Sequence, residues 1–333
     1  MKKRIAYLDN VKAFLILTVV MVHSLVSTLP GYQSNILFRY IVPFNMELFM
    51  FVSGYLMYKD EQPWSKIPHR FMQLMVPYFV WELIYGIKHV IFDQGDLMDK
   101  VISHLMGAFV NPAGDGLWFL WALFFITVIQ IAVVNVAKKL KMPSEILTAV
   151  VAVVMAAGLV VLKFKSFGYQ FVAWHYIYFN IGFYAKKHKE AIKPFAKYLM
   201  VPSVILYAVV PLFWVRNGLP TFVSHGHIAI GYAYMFVCAV IGMCAFYTLF
   251  RTFANKESRF MGYIGKCTLA IYMVHFLVLE FFTFVLIPAL PFDMPLWSQV
   301  AFKFILTPIV CFGAHEILTK NKTVAHYLFG TPN

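Results

Sequence analysis

Long apolar stretches separated by short polar ones recur along the whole of this chain. Windows of about 19 residues, the length of a helix that crosses a bilayer core, place apolar spans near 8–29, 37–58, 71–92, 117–137, 145–162, 172–185, 198–214, 226–250, 260–286 and 298–318. The sixth is short. Its run Trp174-His175-Tyr176-Ile177-Tyr178-Phe179-Asn180 is aromatic and half polar, so this segment could instead pack wholly against protein. The pattern predicts an all-α polytopic membrane protein, a bundle of about ten transmembrane helices, with a count open by one either way. The longest stretches between spans, 93–116 and 288–297, are too short to fold a core of their own. Residues 1–333 therefore read as a single integral-membrane domain with no separate soluble domain. No internal repeat is visible, which weighs against secondary transporters built from two related halves.

Composition agrees: 61% of residues are apolar and 13% charged, and mean hydropathy is +0.72. Lysine and arginine collect in alternate loops, at Lys2-Lys3-Arg4, 59–70, Lys138 to Lys141, Lys186 to Lys189, 251–259 and Lys320 to Lys322. The opposite loops hold fewer, at Arg39, Lys100, Lys163, Lys165 and Arg216, together with the acidic Asp93, Asp96, Asp99 and Asp115. Because short cytoplasmic loops carry the positive excess, both termini are expected inside, in a multi-pass protein of the plasma or inner membrane. The net charge of +13 is then mostly a topology signal. No soluble basic face offers itself to nucleic acid. The basic start followed by an apolar run resembles a secretory signal, but the run is long, holds His23 and lacks a clear cleavage site, so it reads as a retained anchor.

Candidate chemistry begins with Lys12 and His23. Eleven residues of helix turn through about three full turns, so the two share one stripe about 16 Å apart along the axis. An ionisable group at that depth usually faces a cavity or a functional path; a histidine bonded to a neighbouring helix is the plainer alternative. Counted from the inner ends of their spans, His23, Glu47, Glu82 and His275 all lie roughly 16–22 Å deep. They could form one catalytic constellation of two bases and two acids, although sequence gives no azimuth, and either glutamate could instead partner a lysine or arginine. On the inner side Lys66, His69 and Arg70 precede span three, and guanidinium and ammonium groups of this kind suit phosphates. Trp118 and Tyr78 are candidate contacts for a sugar ring. No metal site is expected: His225 and His227 lack a nearby carboxylate, and the four cysteines lie within spans without a CxxC pair.

Several segments together resemble one family, the integral-membrane acyltransferases called acyltransferase family 3. They are Leu8-Asp9-Asn10-Val11-Lys12 with ten residues to His23; Leu48-Phe49-Met50-Phe51-Val52-Ser53-Gly54-Tyr55-Leu56; Arg70 to Pro77-Tyr78; Gly116-Leu117-Trp118-Phe119-Leu120; and Ile264 to His275. The resemblance implies a ten-helix bundle that moves an acyl group from cytoplasmic acyl-CoA to a hydroxyl of an envelope or exported carbohydrate, with His23 as essential base. Two positions depart from the commoner pattern, Lys12 and Gln73 standing where arginines are usual. Lysine at position 12 is similar to the fucose-type sugar O-acetylase branch. No appended esterase domain is present in this sequence.

The chemistry also stands on its own terms. A thioester is already activated, so transfer to an alcohol needs mainly removal of the alcohol's proton and stabilisation of an oxyanion. Imidazole suits the first task near neutral pH. The expectation is an O-acetyltransferase, or a transferase of another short acyl group, with acetyl-CoA or a related acyl-CoA as donor substrate and no permanently bound cofactor. Its partners are the bilayer and a carbohydrate or glycolipid acceptor; the oligomeric state stays open, a dimer included. The alternative from another class is a proton-coupled transporter or flippase using the same histidines and glutamates as a relay.

Overall fold

A computed structural model describes residues 5–331 except 94–96, 113, 115 and 217, without the side chains of 89–93, 97, 100 and 197. Lys2-Lys3-Arg4, Asp96 and Asp115 thus lie outside the described residues, as do the side chains of Asp93 and Lys100. Among the described residues every regular element is helical and no strand occurs. The helices are α1 (Ala6–Val26), α2 (Ile36–Ile41), α3 (Asn45–Met57), α4 (Lys66–Asp93), α5 (Leu97–Val110), α6 (Trp118–Lys139), α7 (Ser144–Val160), α8 (Tyr169–Lys187), α9 (Lys189–Ile192), α10 (Ala196–Val209), α11 (Ile228–Phe253), α12 (Arg259–Phe281), α13 (Leu296–Leu318) and α14 (Lys322–Phe329). All ten apolar stretches fall on helix. Among the described residues six helical segments are long and apolar enough to cross a membrane: Ala6–Val26, Ile36–Met57, Trp118–Lys139, Ile228–Phe253, Arg259–Leu286 and Leu296–Leu318.

Local chemistry sets the ends and breaks. α1 runs unbroken because no proline or glycine interrupts Ala6 to Val26. The stretch 37–58 is instead cut into α2 and α3 at Pro43, which lacks a backbone donor and disfavours helix at the residue before it. Side chains cap several starts: Asn35 accepts from the Leu37 N–H at 2.9 Å, Ser258 from Met261 at 3.2 Å, and Asn321 from Thr323 at 2.9 Å. α5 occupies the stretch that the hydropathy windows leave as a connection. Met98, Val101, Ile102, Leu105, Met106 and Phe109 recur at helical spacing there, but the interleaved Asp99, Lys100, Ser103 and His104 hold the window average down.

The contacts group into two compact units. One comprises residues 1–56 and 188–315, the other residues 57–187 and 316–333. In the first, α1 packs along α12 and α11, and α10 packs along α11. Phe14, Phe44 and Phe246 stack at 4.1–6.2 Å within it. In the second, α4 packs on α5, α6 and α14, while α6, α7 and α8 pack on one another. Here Pro77 cannot donate to the Gln73 carbonyl four residues back. The left-handed Gly330 that ends α14 lies so close to that carbonyl that a side chain at 330 would collide with it.

Candidate functional site

In the first unit α1 and α12 bring two histidines together. The rings of His23 and His275 have centroids 5.2 Å apart, and Phe276 closes on both, 4.4 Å from His23 and 4.6 Å from His275. His275 is fully buried. Its Nδ1 sits 2.7 Å from the Tyr272 carbonyl and 3.1 Å from that of Ile271. Carbonyl oxygens only accept, so Nδ1 carries the proton, and in the neutral ring Nε2 keeps its lone pair. That Nε2 is buried with no hydrogen-bond partner among the described residues. His23 is only half-buried, and no described residue hydrogen-bonds its ring. An imidazole with no hydrogen-bond partner among the described residues, beside a second whose acceptor nitrogen is unused, is an arrangement suited to taking a proton from a hydroxyl.

Lys12, half-buried on the same helix, pairs with Asp9 one turn earlier at 2.6 Å. Asn10 between them donates to the carbonyls of Ala254 at 2.7 Å and Lys256 at 3.1 Å, which fixes this end of α1 against the end of α11. Glu47 is buried on α3, within electrostatic reach of Tyr207.

The remaining expected residues lie in the second unit. Lys66, His69 and Arg70 fall on the first turns of α4, and Gln73 links the last two. Arg70 Nη1 donates to Gln73 Oε1 at 3.2 Å, and Gln73 Nε2 donates to His69 Nε2 at 3.0 Å. Lys66 Nζ donates to the Glu61 carbonyl and to Gln62 Oε1, both at 2.8 Å. Glu82, 2% exposed on α4, pairs among the described residues with His104 of α5, at 3.1 Å. Tyr78 is fully buried and donates its hydroxyl proton to the Ala108 carbonyl at 3.0 Å. Trp118 stacks on Phe171 with centroids 4.9 Å apart and lies 4.8 Å from His175. His175 Nδ1 donates to the Phe171 carbonyl at 2.8 Å.

Three polar participants were not singled out from sequence. His175 stood only within the aromatic, half-polar run of the sixth span. His104 lies in the stretch whose average hydropathy hid a helix. Lys303, a lone lysine inside the last apolar span, is 0% exposed; a buried charge in an apolar helix was itself the available signal. Among the described residues no group of three or more histidine, cysteine, aspartate or glutamate side chains is placed to hold a metal ion.

A family model described as an acyltransferase domain, Acyl_transf_3, matches residues 5–316. The chain is also similar to the inner membrane protein YcfT of Escherichia coli (strain K12). The two are 22% identical over 317 residues, covering 86% of this chain and 83% of that protein. No solved structure matches.

Proposed function

From its membership of the acyltransferase 3 family, a family of acyl-transferring enzymes, we propose that this multi-pass inner-membrane protein transfers an acetyl or similar short acyl group from cytoplasmic acyl-CoA to a hydroxyl of an envelope carbohydrate. The observation that carries the proposal is the His23–His275 contact. In it one imidazole is left half-exposed and unbonded while its neighbour is held by two backbone carbonyls.

The steps follow from the chemistry of a thioester and an alcohol. His23 accepts the hydroxyl proton as the oxygen attacks the thioester carbonyl. The carbon–sulfur bond then breaks, the coenzyme A thiolate leaves, and the imidazolium returns a proton to it. His275 supports this by proximity: its Nδ1 is fixed, so its Nε2 offers a neutral acceptor rather than a competing charge. Lys66, His69 and Arg70 are our candidates for the coenzyme's phosphates, because guanidinium and ammonium donors suit that task. Lys12 is a separate candidate cation for the donor, by its charge. Trp118 is assigned to the acceptor sugar, whose apolar face suits an indole.

Purified protein in detergent, given acetyl-CoA labelled in the acetyl group and delipidated envelope carbohydrate, should release coenzyme A and move label into carbohydrate. Coenzyme A release that is absent, together with carbohydrate moved unaltered across a vesicle membrane, would establish the transporter instead.

A further inference from the structure

α13 meets the rest of its unit through a narrow buried stripe. Its buried residues are Val300, Lys303, Thr307, Pro308 and Cys311. Val300 belongs to the apolar cluster that also holds Val22 and Leu25, the residues flanking the His23 turn of α1. One turn further along, Lys303 reaches the end of α1. Its ammonium donates to the Ser27 carbonyl at 3.2 Å, to Ser27 Oγ at 3.3 Å and to Thr28 Oγ1 at 2.8 Å. An ammonium has three donors, and here three acceptors take them. A lysine this buried in an apolar helix is costly unless it is satisfied in this way.

The position of those acceptors gives the charge its purpose. The last four carbonyls of a helix lack helical partners, and the C-terminus carries partial negative charge. At the end of α1 the His23 carbonyl accepts from the Ser27 N–H at 3.0 Å, and that of Leu25 accepts from Leu29 at 2.8 Å. The Ser24 carbonyl accepts from Ser27 Oγ at 3.3 Å. The Ser27 carbonyl falls to Lys303. We infer that Lys303 is a positioning residue: it caps α1 from α13 and so fixes the height and rotation of the turn that sets His23 against His275. It is not available to steady an oxyanion, since its three donors are engaged.

The kinetic part of this inference rests on His23 being the base; the capping part does not. The test therefore has two readouts on Lys303→Met and Lys303→Arg. Hydrogen–deuterium exchange of purified protein reads the cap. Lys303→Met should raise exchange several-fold over residues 24–29 and leave α6 unchanged, and Lys303→Arg should restore protection. Steady-state assay with acetyl-CoA reads the positioning. Lys303→Met should lower kcat by about 10²-fold, the cost of a displacement of about 1 Å in a catalytic group, with KM for acetyl-CoA within about twofold, and Lys303→Arg should recover most of the rate. Thr28→Val, which removes the shortest of the three bonds, should show a weaker version of both effects if Lys303→Met does not accumulate. Unchanged exchange at 24–29 would overturn the cap. Altered exchange with unchanged kcat, or a loss expressed in KM alone, would overturn the positioning role. A His23→Ala variant of full activity would instead refute the base and leave the exchange result standing.

Discussion

A Cβ added to Gly265 of α12 would stand 2.6 Å from the backbone carbonyl oxygen of Asp9 on α1. The two helices therefore meet backbone to backbone at this point, as small residues allow in membrane packing. Ten residues further along α12, His275 meets His23. The close approach at one end thus helps set the distance between the two rings at the other.

Gly265→Val should accordingly force α1 and α12 apart and destabilise the protein by about 1–3 kcal/mol, the usual cost of overpacking. Gly262→Ala is the matched control, because nothing lies within 4 Å of a Cβ there. Thermal unfolding in detergent should show a lowered midpoint for the first and no loss for the second. Equal midpoints would show that the helices yield at Gly265 without cost.

His23→Ala should lower acyl transfer by at least about 10²-fold, the lower bound for a positioned general base, with membrane insertion unaffected. Insertion is checked by extraction from washed membranes and transfer by labelled acetyl-CoA. A variant keeping more than about a tenth of the rate would assign His23 to packing.

Much of this arrangement was open to the sequence, and the limits have physical causes. Apolar runs announce helices directly, so all ten stretches are helical, and a common depth for His23 and His275 follows from counting rise per residue. Azimuth does not follow, because it depends on which face each helix turns to its neighbour. Depth alone could therefore not show the partner that the Glu82 side chain takes, which is His104. That partner sits on α5, whose apolar residues keep helical spacing while the polar ones between them dilute every window. Lys303 was passed over for a different reason: one charge does not interrupt an apolar span, and only the fold shows the helix end that it caps.

Lys12→Arg should be tolerated better than Lys12→Ala, since arginine keeps both the charge and the pairing with Asp9. If Lys12 meets the donor, KM for acyl-CoA rises in the alanine variant while kcat holds. Asp9→Asn separates the two effects, because it frees the ammonium without removing it. A fall in kcat at constant KM in Lys12→Ala would move this lysine from donor binding to the chemical step.

Gln73→Ala should release His69 and Arg70 together, since one amide bonds both side chains. The expected result is a several-fold rise in KM for acyl-CoA that approaches that of Arg70→Ala, with the double variant adding little, as residues acting as a unit do. Additive losses would show that Gln73 acts independently of Arg70.

Sidedness is the strictest test of the proposal, because it opposes the charge of the donor to the charge map of the chain. Coenzyme A carries phosphates, and the basic loops at 59–70, 138–141, 186–189 and 251–259 fall on one side of the expected topology. A donor entering there meets ammonium and guanidinium groups, whereas the opposite loops are poorer in them. Sealed vesicles of known orientation, given acetyl-CoA on one side and acceptor on the other, should support transfer only when the donor is on the cytoplasmic side. Arg70→Ala should weaken that transfer through KM. Transfer driven by acetyl-CoA confined to the opposite side, with leakage excluded by a trapped dye, would sink the cytoplasmic donor site and move the phosphate contacts to the other face.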